Sequence, residues 1–559
     1  MVKKWFSFIG QEIRGLHEAA YLLAIFAFLS LVLALIRDKM LAFTFGAGPA
    51  LDVYYAAFRI PDLIFTTIGS LVSASILLPY FIEKFETSKQ SGKTFFDSIF
   101  TVFFCGTIVV SIIVFIFAPK LIPMVMPGFA KSQSLDALIL SMRIMLLSPL
   151  FLGLSNLFSS LTQMRYRFLV YAFSPVVYNA GIIAGVLFGY PIFGITGLAL
   201  GVAIGAFLHM AIQIPFIIHE NLLPVFTLKI NWQDIRKILL NTFPRTITLS
   251  ANQLSSFVLI SIASLMVTGS ISIYNFAFNL QSVPLTLIGA SYSSAVFPTL
   301  SKLIFKGRIA EFKQKMIASA QHIIFWSMPL TILFIVLRAQ IVRTVLGAGK
   351  FDWADTRLTA AMLALFAVST IGQSLIVLFV RAFYAEGKTA KPLFINLISA
   401  VITVVSGFVL YKLFAIYPVF KFFLEDLLKV SGQPGTSVLV LALAFTIGVI
   451  INTILHWWTY EKHYRGFTEP VFSTLFHSFS ASVIMGYVAF LSLRVYALFL
   501  PLSKVWGLFL QGLFAGITGI VVLVIILKLL KNKELDDVIN TLHKKIWKTP
   551  VPPVEVEHM

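Results

Sequence analysis

The feature that most constrains this chain is the length of its uncharged runs. Phe168 to Leu208 and Thr246 to Ser301 contain no Asp, Glu, Lys, Arg or His. A membrane-spanning helix needs about 20 consecutive apolar residues, so each run is long enough for two. Turn residues sit where each run must double back, at Gly189-Tyr-Pro191 and Thr268-Gly-Ser270. The 559 residues are 58% hydrophobic and 12% charged, about half the charged share of a soluble domain. Such a chain cannot build a polar shell for water. In hydrocarbon every backbone polar group must be satisfied internally, which leaves helices or a closed barrel. Barrel strands read as short alternating segments, whereas these runs are continuous. The expected class is all-α, a polytopic membrane protein of about fourteen spans.

The spans are expected near 21–44, 50–82, 95–119, 135–163, 168–188, 193–218, 233–267, 271–304, 311–346, 355–386, 392–416, 435–460, 470–496 and 503–530. Basic residues then fall in alternate loops: Lys84, Lys89 and Lys93; Arg165 and Arg167; Lys229, Arg236 and Lys237; Lys302 to Lys315; Lys388 and Lys391; Lys462 and Arg465; and Lys531 onward. The opposite loops at 189–192 and 268–271 carry none. Lys/Arg-rich loops stay on the cytoplasmic side, so both termini are expected there, in the cytoplasmic (inner) membrane. The net charge of +19 is mostly this topology signal, and bases spread over many loops do not make a nucleic-acid surface. Residues 1–18 place Val2, Trp5, Phe6, Ile9, Ile13 and Leu16 at helical spacing, the pattern of a helix lying in the membrane interface. No cleavable signal peptide is expected, since the first long apolar run begins near Tyr21. Cys105 is the single cysteine, so no disulfide forms within the chain.

An internal repeat is visible. Tyr54, Ala57, Phe58, Ile68 and Gly69 correspond to Tyr274, Ala277, Phe278, Ile288 and Gly289, and Pro79 to Pro298 after a slip of one residue. Pro175 and Asn179 are echoed by Pro392 and Asn396. The expected organisation is two six-helix lobes in parallel repeat, 19–230 and 231–465, followed by spans 13 and 14 (466–531) and a cytoplasmic tail (532–559). Transporters commonly place the substrate route between such halves.

Ionisable groups at membrane depth are costly and usually face a cavity or a partner. Arg37, Asp38 and Lys39 end span one; Asp52 and Arg59 lie two turns apart in span two, with Asp62 behind Pro61. Arg143, His209 and Arg245 lie in spans four, six and seven, and Pro244 can break the last of these. Asn252, Gln253, Asn279 and Gln281 add uncharged hydrogen-bonding groups. The alternative for each, most of all for His209 and Arg245, is a structural pair or a snorkelling side chain.

Leu35-Ile-Arg-Asp38, Phe45-Gly-Ala-Gly48, Asp52 and Ala57-Phe-Arg-Ile-Pro61 together resemble the first-hairpin signature of the MurJ/MviN family. Phe297-Pro-Thr-Leu-Ser301, Gly349-Lys-Phe351 and Phe383-Tyr-Ala-Glu-Gly-Lys-Thr-Ala-Lys-Pro392 extend the resemblance over roughly residues 20–460. It implies the MOP superfamily fold with fourteen spans. It also implies a flippase that moves undecaprenyl-pyrophosphate-linked peptidoglycan precursor, lipid II, to the outer leaflet by alternating access. The chain departs from the family at several cavity charges. Leu31, Phe65 and Ser70 replace an arginine, an arginine and an acid; Phe278-Asn279 replaces an Asp-Arg pair, and Ser282 a glutamate. Some members bind sodium between spans seven, eleven and twelve. The only acid in those spans here is Asp234, at the edge of span seven, so no sodium or other metal site is expected.

The expected substrate-binding set is Arg37, Asp38, Asp52, Arg59, Arg245, Asn279 and Gln281. Arg37, Arg59 and Arg245 would pair the pyrophosphate, for which the planar guanidinium fork is suited. Partners are a lipid-linked oligosaccharide, membrane lipids and, through the resemblance, the cell-wall synthesis machinery. Enzyme motifs are absent: Thr344 and Phe351 spoil a P-loop at Gly347-Ala-Gly-Lys350, and no His-Glu-x-x-His occurs. No cofactor is expected. Three further readings stay open: an exporter of another lipid-linked glycan or a drug, a non-transporting scaffold of cell-wall assembly, and a membrane glycosyltransferase.

Overall fold

The computed structural model describes residues 16–501 and 504–546. Most of the expected interfacial helix 1–18 and residues 547–559 of the tail lie outside them, and for Arg245 only the backbone is described. Every regular element among the described residues is helical. Twelve helices there are long and apolar enough to cross a membrane. The two further spans read from the sequence are present in other forms. Span one is the helix Leu16–Phe45, which carries Arg37, Asp38 and Lys39 in its last third. Span two is broken into Pro49–Ala57, Arg59–Ile68, Gly69–Val72 and Ala74–Thr87.

The sequence explains the breaks. Pro61 has no N–H, so the carbonyl of Ala57 loses its helical partner and the first piece ends there. At the other end Ser73 is extended, with φ −68° and ψ 142°. The equivalent stretch of the repeat is also irregular: Ser270–Pro284 passes through the π-helix Leu285–Ala290 into Ser291–Phe305. Pro79 and Pro298 both lie inside the helix that follows the irregularity.

Two expectations shift. Gly189-Tyr-Pro191 is helical rather than a turn, and Pro191 lies near the C-terminal end of the continuous helical run Phe168–Phe193, just after its π-helical stretch Gly185–Gly189. The chain reverses at Gly194, at φ 62° and ψ −142°, a conformation open almost only to glycine. The helix Trp232–Ser264 continues through Pro244 rather than breaking there.

The chain forms two compact units. The first comprises Met1–Leu280, Val345–Phe366 and Lys388–Asn452; the second comprises Gln281–Thr344, Ala367–Gly387 and Thr453–Met559. In the first, Phe81, Phe95, Phe96, Phe103, Leu157 and Phe158 form a buried core with Ile235 and Ile238. Beside it, Phe168–Ala184 and Ile195–Ala211 pack backbone to backbone. A Cβ on Gly185 would lie 2.6 Å from the Cα of Gly201, and one on Gly181 would lie 2.4 Å from the Cα of Gly205. Lipid gives little hydrophobic drive between helices, so such close approach supplies the attraction. In the second unit Phe312, Phe379, Phe383, Tyr460 and Phe467 form one core. Met485, Ala489, Ala515 and Leu527 form another, between Thr468–Tyr496 and Val505–Leu529.

Candidate functional site

Most of the sequence-derived site residues gather in the first unit. At the end of span one, Arg37 donates from Nε (3.0 Å) and Nη2 (2.8 Å) to Oδ1 of Asp38. Arg37 Nη1 donates to Oδ1 of Asn179 at 3.1 Å, and Asn279 Nδ2 donates to Oδ2 of Asp38 at 2.9 Å. Asp38 is buried, while the Arg37 side chain is 20% exposed. The Arg37 charge is therefore already matched by a carboxylate that is itself fully engaged.

Arg59 is held differently. Its Nη2 donates to Oδ1 of Asn275, and Asn275 Nδ2 donates to the carbonyl of Ile271 at 2.7 Å. The Arg59 Nε is buried without a hydrogen-bond partner. Asp62, one turn further along, acts on the guanidinium through its charge but makes no hydrogen bond to it. A guanidinium with a neutral partner and an unused donor is a better anion anchor than one locked in an ion pair.

Asp52 has a separate job. Its Oδ2 accepts from the backbone N–H of Gly269 at 2.5 Å, and its Oδ1 accepts from the N–H and hydroxyl of Ser272 at 2.9 and 2.7 Å. It therefore satisfies orphan donors in the first turn of Ser270–Pro284, and its charge suits that helix end. A cavity of about 120 Å³ opens beside it, lined by Gly128, Ser132, Ser134, Ser264 and Thr268 among others. This volume suits a few waters, not a disaccharide.

Gln281 belongs to the second unit. It is completely buried, and its Oε1 accepts from Gln373 Nε2 at 3.1 Å and Thr370 Oγ1 at 3.5 Å, a helix-to-helix tie. Arg143 Nε donates to the carbonyl of Phe115 at 3.1 Å, and His209 Nδ1 pairs with Ser155 Oγ at 2.7 Å; both are structural contacts. Phe278 joins an aromatic cluster, with ring centroids 6.1 Å from Tyr274, 5.7 Å from Phe366 and 5.5 Å from Phe445.

Sequence reasoning missed Asn275 as the Arg59 partner and Ser272 as the Asp52 partner, because ordinary polar residues in a long apolar run carry no separate signal. Asn179 had one. Its Nδ2 donates to the carbonyl of Pro175 at 3.1 Å, as Asn396 Nδ2 does to Pro392 at 2.8 Å. The repeat thus keeps the local bond and changes the outer partner: Arg37 for Asn179, Asn452 for Asn396.

Residues 41–419 match the sequence profile of the family described as lipid II flippase MurJ. The chain belongs to the MurJ family. It is 29% identical over 390 residues to a probable lipid II flippase MurJ of Rickettsia prowazekii, covering 69% of this chain and 76% of that protein. It is 25% identical to the lipid II flippase MurJ of Burkholderia cenocepacia, covering 82% and 85%. A solved MurJ in an inward closed conformation matches with a TM-score of 0.73 at 22% identity, covering 93% of this chain and all of that one. An inward-facing multidrug resistance MATE transporter of the MOP superfamily matches with a TM-score of 0.62 at 12% identity, covering 78% and 96%. The MurJ family is one of multi-pass membrane transporters, and the fold here is the MOP fold.

Proposed function

We propose that this chain is a lipid II flippase that carries the undecaprenyl-pyrophosphate-linked precursor across the cytoplasmic membrane, with Arg59 as the cation that meets the pyrophosphate. The observation that carries this reading is the state of Arg59: half-buried, bonded to neutral Asn275, and with a buried Nε donor that has no hydrogen-bond partner. Family membership narrows the substrate to lipid II. Dragging a hydrated pyrophosphate, disaccharide and peptide through hydrocarbon is prohibitive, so a polar path is required. Arg37, Asp38, Asn179 and Asn279 form a charge-matched polar patch suited to sugar and amide groups. Asp52 holds the turn at 267–272 rather than contacting the substrate, and Gln281 packs helices. Arg245 stands as a candidate second cation on sequence grounds.

Movement of two six-helix lobes, 19–230 and 231–465, would alternate access. Both termini lie on the cytoplasmic side in this reading, and the inside-negative potential favours outward movement of an anionic headgroup. The chain acts as a transporter rather than an enzyme, and cell-wall synthesis proteins are its expected neighbours. A second reading, another lipid-linked glycan, draws on Phe278. An aromatic cluster there offers stacking surface where the family signature places charge. The test is leaflet accessibility of lipid II in cells depleted of their own flippase and relying on this chain. Lipid II reachable by an external probe, and unreachable with Arg59→Ala at equal membrane abundance, is the expected result. Lipid II that stays protected while another glycan becomes accessible would overturn the lipid II reading in favour of the second.

A further inference from the structure

The helix Pro418–Leu428 follows the span Ala390–Ile416 after one residue. Tyr417 is extended, at φ −106° and ψ 98°, as a residue before proline prefers, so the chain bends sharply where the span ends. The helix turns an apolar stripe outward: Val419, Phe422, Phe423 and Leu427 are 82%, 61%, 63% and 59% exposed. Their spacing places them on one face. The opposite face is buried through Leu424, Glu425 and Leu428. The charges are accounted for: Glu425 accepts from Thr436 Oγ1 at 2.5 Å and lies 3.9 Å from Lys421 Nζ, and Asp426 accepts from Ser431 Oγ at 2.7 Å.

We propose that this helix lies in the bilayer interface, its Val419–Phe422–Phe423–Leu427 stripe seated in the lipid at the end of span eleven opposite the Lys388 loop. The stripe continues from the exposed span residues Val405, Phe408, Val409 and Ile416 through Tyr417, so the lipid that covers the span reaches it. Aromatic side chains suit the headgroup boundary. A helix of 11 residues offers far less than the roughly 800 Å² per partner of a stable protein interface, whereas insertion into lipid needs no such area. The seat also braces a cap. Arg357 Nη2 donates to the carbonyl of Lys429 at 2.5 Å, and Asp355, two residues earlier, accepts from the N–H of Ala47 at 3.0 Å. The outer ends of spans one and ten are thereby tied to a helix held at the membrane surface.

The test uses the full chain with Cys105→Ser, reconstituted in phosphatidylethanolamine/phosphatidylglycerol vesicles. Single cysteines at Phe422→Cys, Leu427→Cys and the reference Lys429→Cys carry a bimane label. Val419→Cys replaces either stripe variant that fails to elute monodisperse. Expected is several-fold stronger quenching at the stripe by lipid-borne doxyl groups than by aqueous iodide, with the reverse at 429. Iodide quenching at all positions would overturn the proposal. So would protection from both quenchers that disappears on dilution of protein in the vesicles, since that marks a second copy as the occupant. The outcome is independent of which lipid-linked substrate the chain carries.

Discussion

Asp52 and Ser272, on spans two and eight, are joined twice: Oδ1 of the aspartate accepts both the backbone N–H and the hydroxyl of the serine. With the Gly269 N–H on Oδ2, one buried carboxylate closes the turn between spans seven and eight onto span two. Gly269 itself sits at φ 95°, and a Cβ there would strike the carbonyl of Ala47 at 2.4 Å. Span one, span two and the 267–272 turn thus converge on one small, fully bonded knot.

Asp52→Ala should therefore destabilise the chain more than it alters substrate affinity. It strands two backbone donors and a hydroxyl, a loss of about 1–3 kcal/mol. Ser272→Ala removes one of the three bonds, at about 1 kcal/mol. Thermal unfolding in detergent should show a lower midpoint for both, with Asp52→Ala the larger. An unchanged midpoint with lost transport would instead place Asp52 in the substrate path.

Arg37→Ala should lower the folded level in the membrane, because it leaves Asp38 buried and uncompensated. A fully buried pair would lose about 3–5 kcal/mol on such a break; partial exposure of Arg37 reduces this, to roughly 2 kcal/mol. Arg37→Met with Asp38→Leu should recover much of the level. The measurement is a double-mutant cycle on membrane abundance and unfolding midpoint. Additive losses would show that the pair is not coupled.

Gly201→Ala should loosen the hairpin of spans five and six. The new Cβ would lie 2.5 Å from the Cα of Gly185, so backbone must move, at a cost of about 1–3 kcal/mol. Gly194→Ala acts through conformation instead, since nothing lies within 4 Å of its Cβ but φ is 62°. Both should unfold at lower temperature, while Gly106→Ala, with open space and ordinary φ, should not.

The spans were legible because bilayer thickness and charge exclusion act on long stretches, which composition records directly. The breaks in span two were not read from the sequence, where 50–82 stands as one span: Pro61 ends the first piece, but the extended Ser73 depends on packing around it. Among site residues, charge drew attention to Arg37, Asp38, Asp52 and Arg59, and all four lie in one unit with bonded partners. Charge could not tell their roles apart. Whether a carboxylate caps a helix or lines a path depends on which N–H groups the fold brings to it, and Gly269 lies 217 residues from Asp52.

Arg59 gives the sharpest functional test, because it and its neighbour Asn275 allow graded changes. Arg59→Ala removes the cation and should abolish the transport-dependent growth of cells relying on this chain. Arg59→Lys keeps the charge but loses the planar fork, so partial transport is expected. Asn275→Ala removes the neutral partner and keeps the guanidinium; if Asn275 only steadies Arg59, transport should fall by less than in Arg59→Ala. All three are compared at matched membrane abundance, read by labelled lipid II exposed on the outer leaflet. An anion anchor at position 59 sets the ordering: Arg59→Ala transports least, Arg59→Lys more, and Asn275→Ala most. Equal loss in Arg59→Ala and Asn275→Ala with a falling unfolding midpoint would mean that the Arg59–Asn275 bond only holds spans two and eight together, and the pyrophosphate contact would have to be sought at another cation.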